Sequence, residues 1–510
     1  MKVKILFLKS LVTQLQPTEN LALEILKNPK YDNHLLINKD AIEKAFKEYG
    51  EKLNPLNSEI IPAMTDININ IEGNFIAKNI PEIPSVVVNK ICTKNILYET
   101  LDKYDDITHI GLSTYAMGLD NTIEIIKTIQ NDFPHIELIL GGIGTVYSQI
   151  QKLIPLKNIC IGEGVNFLRK KFNLKLLLRN EYKIPKIFGY ISNVPISIKT
   201  AYMITQLGCP NGCNFCITTN FFQYFPFSNY KKIIKFIEDL SIKSHKDVFI
   251  YLCDANGFYP ESQWKKVFDY FIENPKNIDN NIFISVLASL NHINRFDLET
   301  IQKKSPIKIF LVNYGIESTL QGGYLKNKGN YEGVIKRLNK NGIITFHTCI
   351  LGLPIHTKKN IHIDIKNNCS LKSDVISFNT FKPIPMTPLY NQLKSEGRIY
   401  GEELPPELLY FEGFMPFKHP YLGSGFDILP YAFKAYYESE KSLIDVYNNF
   451  ANKFIDIFAL TNSRKIRRAI NTFLEISKKN FDSYQLRMPT NLSETYKTRF
   501  NNTINRISNL

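Results

Sequence analysis

The sequence predicts an α/β protein in three zones: a doubly wound parallel sheet, then a partial barrel of six βα units, then a mostly helical C-terminal region. Three observations predict it. Short apolar runs alternate with helical stretches over residues 1–175. A second series of the same kind runs over 198–395. Residues 396–510 turn rich in Tyr, Phe, Lys and Asn and carry helical patterns, above all at 427–477. The 510 residues suffice for two to four domains at roughly 100–200 residues each.

In the first zone the expected strands are Val3–Leu8, Ser85–Val88, His109–Ser113, Ile136–Leu140 and Asn158–Ile161. Helices lie between them, most clearly at Asn121–Asn131, which Pro134 closes off. Alternating strands and helices imply a parallel sheet covered on both faces, and right-handed crossovers make it doubly wound. Residues 40–84 fit poorly and read as an inserted excursion. Pro185, Gly189 and Pro195 mark 176–197 as a linker or crossing segment. The second zone has expected strands at Ala201–Gln206, Val248–Leu252, Phe283–Val286, Lys308–Val312, Ile343–Ile350 and Val375–Phe378. Its helices fall near 229–243, 261–273, 296–303, 330–340 and 359–371. Gly342, just past an amphipathic helix and just before a β-branched run, suits a left-handed helix end. Such a barrel places its chemistry at the C-terminal ends of its strands.

An apolar content of 44% with 22% charged residues excludes a disordered chain. No uncharged apolar run approaches the roughly 18 residues of a membrane span. Lys2 to Leu8 is basic and then apolar, but the run breaks at Lys9 with no small-residue cleavage site, so it reads as a buried strand of a cytoplasmic protein. The +14 charge invites an acidic partner, yet the basic residues form no block, and nucleic acid is not expected.

Eight cysteines in a cytosolic chain are thiols, ligands or packing residues rather than disulfides. Cys209, Cys213 and Cys216 stand apart with C-x3-C-x2-C spacing on a loop after the first barrel strand. Gly208, Pro210, Asn211 and Gly212 are turn formers that let one short loop aim three thiolates at one centre. A structural zinc site wants four ligands, and no fourth lies near in sequence. Three thiolates on a four-iron cluster leave one iron open to another ligand. A zinc site completed from a distance, or a chance cluster, is the alternative.

This segment resembles the radical S-adenosylmethionine (SAM) superfamily, down to the aromatic Phe215 before the last cysteine. The resemblance covers about 198–395 and implies a TIM-type (β/α)6 barrel. It implies that the three thiolates hold a [4Fe–4S] cluster whose open iron binds SAM. By the same resemblance, SAM contacts are Phe215; Asp254 and Asn256 after the second strand; Gly315, Glu317 and Ser318 after the fourth; and Leu351 and Gly352 after the fifth. The family's usual Gly-Gly-Glu is replaced here by Asp254-Ala255-Asn256. Pro383 to Tyr390 resembles a further family stretch after the sixth strand.

In the first zone, Ser113 and Thr114 end one strand, Gly141 and Gly142 follow the next, and Gly162 and Glu163 follow the last. Small residues at the carboxyl edge of such a sheet let backbone approach a ligand, although βα turns use glycine in any case. The arrangement resembles the Rossmann-like cobalamin-binding domain of one radical SAM subfamily, and implies cobalamin at these six residues. Val165 stands where those relatives carry a last Glu, and residues 9–14 hold no His to ligate cobalt.

Cys253 and Cys349 lie at strand ends, with packing as the default role for both. His347 reads as a core or supporting residue, and His356 as a proton-transfer candidate. The catalytic residues proper cannot be named from sequence. Together the resemblances imply a radical SAM enzyme, a cobalamin-dependent methyltransferase acting on an unactivated carbon of a small molecule or peptide. A flavodoxin or ferredoxin would donate the electron. The alternatives are a cobalamin-independent radical SAM enzyme of rearrangement, cyclisation or tRNA modification, and a non-enzymatic iron–sulfur protein.

Overall fold

The computed structural model describes residues 3–10, 25–29, 38–49, 69–191, 198–244, 248–278, 281–320, 330–400 and 404–439, with Ala22 and Lys453. The expected helical stretch beyond 439 therefore lies outside the described residues, Lys453 apart, as do most of the loop after the first strand and the middle of the excursion, 50–68.

The first sheet has four parallel strands: β1 (Ile5–Ser10), β2 (Ser85–Ile91), β3 (His109–Thr114) and β4 (Glu137–Gly141), in the order β2-β1-β3-β4. All six residues of β1 are buried, which suits the apolar run Ile5–Leu8, while Lys9 and Ser10 at its end are buried polar residues. The chain winds outward from β1 to β2, then returns to lay β3 on the other side of β1. That reversal opens a crevice at the carboxyl ends of β1 and β3. The fifth strand expected at Asn158–Ile161 is not formed. A 3-10 turn at Leu156–Asn158 and a left-handed Gly162 leave room for one bridge, Leu140 to Ile159.

Residues 187–191, inside the expected linker, form an antiparallel edge strand, β5 (Ile187–Ile191), against β6 (Ile198–Met203). Two short pieces, β7 (Gln206–Leu207) and β8 (Phe225–Pro226), pair beyond it. The remaining strands are β9 (Val248–Leu252), β10 (Ile282–Leu287), β11 (Ile307–Glu317), β12 (Ile344–Leu351) and β13 (Val375–Thr380). From β6 through β9 to β13 each strand pairs in parallel with its predecessor. Successive same-handed crossovers put the helices on one face. There Ile237, Trp264, Phe268, Ile301 and Leu338 from the helices pack on Ile250, Ile284, Ile309 and Val312 from the strands. Toward the starts of their strands Phe249 stacks on Phe283 and Phe310 meets both edge-on, with ring centroids 5.0–6.4 Å apart. The carboxyl ends are left for chemistry.

The region after 396 begins otherwise than expected. Residues 404–425 hold a 3-10 turn and an antiparallel hairpin, β14 (Met415–His419) with β15 (Gly423–Gly425), before a helix at 429–439. Pro405, Pro406, Pro416 and Pro420 withhold amide donors, and Gly413, Gly423 and Gly425 turn with positive φ, so a helix cannot start earlier. This segment joins two cores. Leu408, Phe414 and Phe433 pack with the first sheet's core, while Met415, Phe417 and Ile428 pack with Leu351 and Leu353. No helix among the described residues is long and apolar enough to cross a membrane.

His347 belongs to the core. It shares a face of β12 with Thr345, which bonds Asp374, and with Cys349, which lies among Ile361 and Ile365 on the helix side. Neither ring nitrogen has a hydrogen-bond partner among the described residues, and burial lowers its pKa to about 3. The unfolded chain takes up this proton near pH 6.5, so it binds more protons than the folded chain between these values. Stability therefore falls as pH falls through that window. Between pH 7 and 4.5 the loss through this group is about 2–3 kcal/mol. Denaturant titrations at the two pH values should show His347→Phe to be less acid-sensitive by that amount.

Candidate functional site

The cysteine loop hangs between two fixed ends. At its start, Asp254 accepts hydrogen bonds from the Thr205 amide (2.7 Å), the Thr205 hydroxyl and the Gln206 amide (3.2 Å). At its far side, Asn214 accepts from the Leu389 amide (3.0 Å), beyond the sixth parallel strand. Gly208 has φ +71°, and a Cβ there would stand 2.9 Å from the Phe222 carbonyl, so only glycine lets the loop pack this closely. A Cβ on Gly212 would meet nothing within 4 Å, so space is open beside the cysteines. Cys209 is buried, Cys213 and Cys216 are half-buried, and none forms a disulfide. The Cys216 amide donates to the Cys213 carbonyl (3.2 Å). Among the described residues no three His, Cys, Asp or Glu side chains are gathered around a single metal ion's position. An iron–sulfur cluster spreads its thiolates over several irons, and three unbridged thiols on one loop with open space beside them are a donor set that fits it.

Asp254 and Asn256 are both buried and held within the protein. Burial pushes the Asp254 carboxyl up to about 7 against its three hydrogen bonds. Asn256 accepts from the Ser289 amide (2.9 Å), pairs with His292 Nδ1 (2.7 Å), and its carbonyl receives the Gln206 side chain (2.7 Å). Their visible work is to fix the entrance to the cysteine loop. Asp254→Ala strands two amides and a hydroxyl, at a cost of about 2–4 kcal/mol. Its expected signature is a lower unfolding midpoint together with reduced iron uptake, although all three cysteines remain.

Glu317 ends β11 at φ +64° and is 5% exposed. Its carboxylate folds over Gly315, where a Cβ would lie 2.0 Å from Oε1. The next residue but one, Thr319, donates through its amide and hydroxyl to Asp364 (both 2.6 Å). His356 Nε2 lies 2.9 Å from the same carboxylate, and its Nδ1 accepts from the Leu353 amide (3.1 Å). This corrects the expected proton-transfer role of His356. The ring is fully buried and engaged at both nitrogens, and the Asp364 carboxylate it holds in turn receives Thr319 from the loop after β11. Burial raises the Asp364 carboxyl, but hydrogen bonds from His356, Thr319 and Ser318 outweigh it and hold the group below its ordinary value. Leu351 is buried in the core with Met415, so its side chain faces packing; Gly352 turns at φ +77° beside Met415. Phe215 packs against that same core. Cys349 is buried within it, and Cys253 packs near Tyr202 and Ile69.

The second feature is a cavity at the carboxyl edge of the first sheet, about 830 Å³ out to its open mouth. Ser113, Gly141, Gly142, Gly162 and Glu163 all line it. Thr114 does not; its hydroxyl donates to the Gly141 carbonyl (2.9 Å). Gly142 has φ +88°, and a Cβ would come 2.4 Å from the Thr114 carbonyl. Glu163 caps the helix Gly164–Lys171, accepting from the Val165 (2.5 Å) and Asn166 (2.8 Å) amides, while burial raises its carboxyl. Sequence reasoning missed two parts of the wall. Glu72, Gly73, Phe75 and Ile76 come from the helix Ile71–Asn79 in the supposed excursion, where only the Asn70 cap marks a helix start. Ile204, Leu207 and Phe222 come from the strand and hairpin that carry the cysteine loop. The cavity and the cysteines thus share a wall, and Leu207 is two residues from Cys209.

No protein-family model matches the chain, and no curated protein matches it in sequence. Solved structures do match. The radical SAM methyltransferase TsrM from Kitasatospora setae, with tryptophan substrate and a SAM analogue bound, superposes with a TM-score of 0.50 at 14% identity, over 77% of this chain and 76% of that one. The chain has the fold of cobalamin-dependent radical SAM enzymes. OxsB, a cobalamin-dependent SAM radical enzyme solved with aqua-cobalamin, extends the likeness over 95% of this chain and 72% of its own, with a TM-score of 0.51 at 12% identity. The shared fold therefore includes the first sheet as well as the strands on either side of the cysteine loop.

Proposed function

We propose that this chain is a cobalamin-binding radical SAM enzyme that transfers a methyl group to an unactivated carbon of a small molecule or peptide. The observation that carries the reading is the shared wall: the glycine-edged cavity abuts the segment that leads into Cys209. In this reading residues 1–175 form the cobalamin unit, 198–395 a partial barrel that holds SAM, and the segment 404–439 a cap over its mouth. When bound, the cluster supplies the electron that cleaves SAM to methionine and a 5′-deoxyadenosyl radical, and cobalamin supplies a methyl carrier.

The chain's own residues position and seal. Cys209, Cys213 and Cys216 hold the cluster as thiolates, and Asp254 keeps their loop in place. Phe215, Gly315, Glu317, Ser318 and Gly352 surround SAM, with Glu317 as a hydrogen-bond acceptor for its amino or hydroxyl groups. Asp254 and Asn256 act on SAM through the loop they brace. Ser113, Gly141, Gly142 and Gly162 let the cofactor approach backbone, and Phe222 and Leu207 exclude water between the two sites. A flavodoxin or ferredoxin donates the electron, and the enzyme works in the cytoplasm.

The test is anaerobic reconstitution with iron and sulfide, followed by SAM, a reductant and hydroxocobalamin. The expected products are 5′-deoxyadenosine and methionine. A fully loaded protein that yields neither would overturn the proposal.

A further inference from the structure

Half of the large apolar side chains that stand exposed among the described residues fall in one short stretch: Leu156, Ile161, Leu176 and Leu178. None of the four lines the cavity. The fold gathers the last three. The Asn166 side chain bonds both the amide and the carbonyl of Leu177 (2.8 and 3.0 Å), which lays Leu176 and Leu178 beside the first turn of the helix Gly164–Lys171. Ile161 lies two residues before Glu163, the cap of that helix. This surface backs onto the cysteine loop at both of its ends. A Cβ on Gly162 would stand 3.1 Å from the carbonyl of Phe221, which closes the short helix Ile217–Phe221 that Cys216 caps. The Arg179 guanidinium lies 5.1 Å from the centre of the Phe225 ring, and Phe225 pairs with Leu207, two residues before Cys209. The stretch is also basic. Lys157, Lys170, Lys175, Arg179 and Lys183 are exposed. Its own acids are Glu163, spent on the helix cap, and Glu181, bonded to the Leu178 amide (2.6 Å) and to Lys175 (3.4 Å). Glu82 and Glu137 alongside are met by Arg169 (2.7 Å) and Lys171 (2.8 Å).

We infer that this face receives the electron donor, a small acidic protein that passes one electron to the cluster behind it. The inference rests on the radical SAM reading above and adds where the electron enters. An apolar centre with a charged rim is the anatomy of a protein–protein interface. The surplus of positive charge selects an acidic partner and speeds its encounter. Electron tunnelling weakens steeply with distance, and a donor seated here abuts Phe221 and Phe225, each one contact from the segment that holds the cysteines. With a flavodoxin the hydroquinone is oxidised to the semiquinone as the cluster is reduced by one electron, and no bond is made or broken on docking. An anionic membrane also accepts leucines and lysines, but it brings no electron and leaves the position against the cysteine loop without a purpose.

The test uses the full-length chain reconstituted with iron and sulfide. Oxidised flavodoxin is titrated onto it by calorimetry. Formation of 5′-deoxyadenosine from SAM is then followed with reduced flavodoxin and, separately, with dithionite, a small reductant that needs no docking face. Ferredoxin is run in parallel. Leu178→Glu, and the pair Lys175→Glu with Lys183→Glu, should each weaken flavodoxin binding and slow the flavodoxin-driven rate by roughly 10-fold or more. The dithionite-driven rate should not change. Added salt should weaken binding to the wild type and matter less to the charge-reversed pair. Ile363→Glu, at an exposed apolar position on the helix Asn360–Ser370, should behave as the wild type. If both patch variants bind and accept electrons as the wild type does, or lose the dithionite-driven rate in equal measure, the docking face is overturned. It is also overturned if neither carrier protein binds or drives the wild type while dithionite does, and the enzyme reading then stands. Binding to phosphatidylglycerol vesicles that Leu178→Glu abolishes, with the flavodoxin-driven rate untouched, would reassign the face to a lipid surface. A loaded wild type that cleaves no SAM with dithionite would bring down the enzyme reading itself.

Discussion

Alanine at Cys209, Cys213 or Cys216 should each yield a folded chain that takes up no stable [4Fe–4S] cluster and cleaves no SAM. Cys213 and Cys216 are half-buried on a loop, so their thiols contribute little packing. The fold around them is held by the Asp254 and Leu389 contacts instead. Cluster assembly has no such reserve, because two remaining thiolates cannot hold four irons that three were needed to bind. Iron and sulfide per chain after anaerobic reconstitution should drop from about four of each to near background, and 5′-deoxyadenosine with them. Alanine at Cys92 or Cys349, both buried in apolar cores, should instead lower stability and leave the iron content unchanged. A Cys213→Ala protein that still carries a full cluster and cleaves SAM would remove the loop from the mechanism.

Gly141→Leu separates the two halves of the reaction. Gly141 ends β4 on the face it shares with Ile139, and both line the cavity. A Cβ at this position meets only the Cys160 Cβ at 3.9 Å, an ordinary contact, so the backbone tolerates the change. The rest of the leucine side chain then occupies ligand space. Hydroxocobalamin affinity should fall by about 100-fold or more, since an overpacked site loses several kcal/mol. SAM cleavage at the cluster should persist, with methylated product lost. Gly142 would be a poor choice for this purpose, because the Thr114 carbonyl blocks any side chain there and the sheet edge itself would distort. Retained cobalamin binding in Gly141→Leu would place the cofactor elsewhere.

Much of this site was legible from local sequence. The C-x3-C-x2-C spacing, the Gly208 and Gly212 turns and the Gly141-Gly142 pair at the end of β4 are short-range patterns, and short-range backbone geometry enforces them. Other parts were not legible. Asp254 after a strand reads the same whether it faces a ligand or a neighbouring loop; its partners Thr205 and Gln206 lie 49 and 48 residues away. His356 looked available for proton transfer until Asp364 and Leu353 closed on both of its nitrogens. The hairpin after residue 414 was hidden by an aromatic composition that suits helix and strand alike, with prolines deciding between them.

The sequence by itself determined the kind of chemistry: three thiolates on one turn-rich loop after a strand, and small residues at the edge of a parallel sheet. These follow from residues adjacent in the chain. The tertiary structure alone decided which polar groups are spent and which are left over. It spends Asp254, Asn256, His356 and Glu163 on holding loops and capping a helix, and buries one oxygen of Glu72 without a hydrogen-bond partner among the described residues. It also sets Leu207 and Phe222 as the wall common to both sites. The physical reason is that hydrogen-bond satisfaction is settled by neighbours in space; for Asp254 and Asn256 those neighbours lie 33 to 50 residues away, and for His356 and Glu163, whose partners are close in sequence, only the folded turn shows which groups meet.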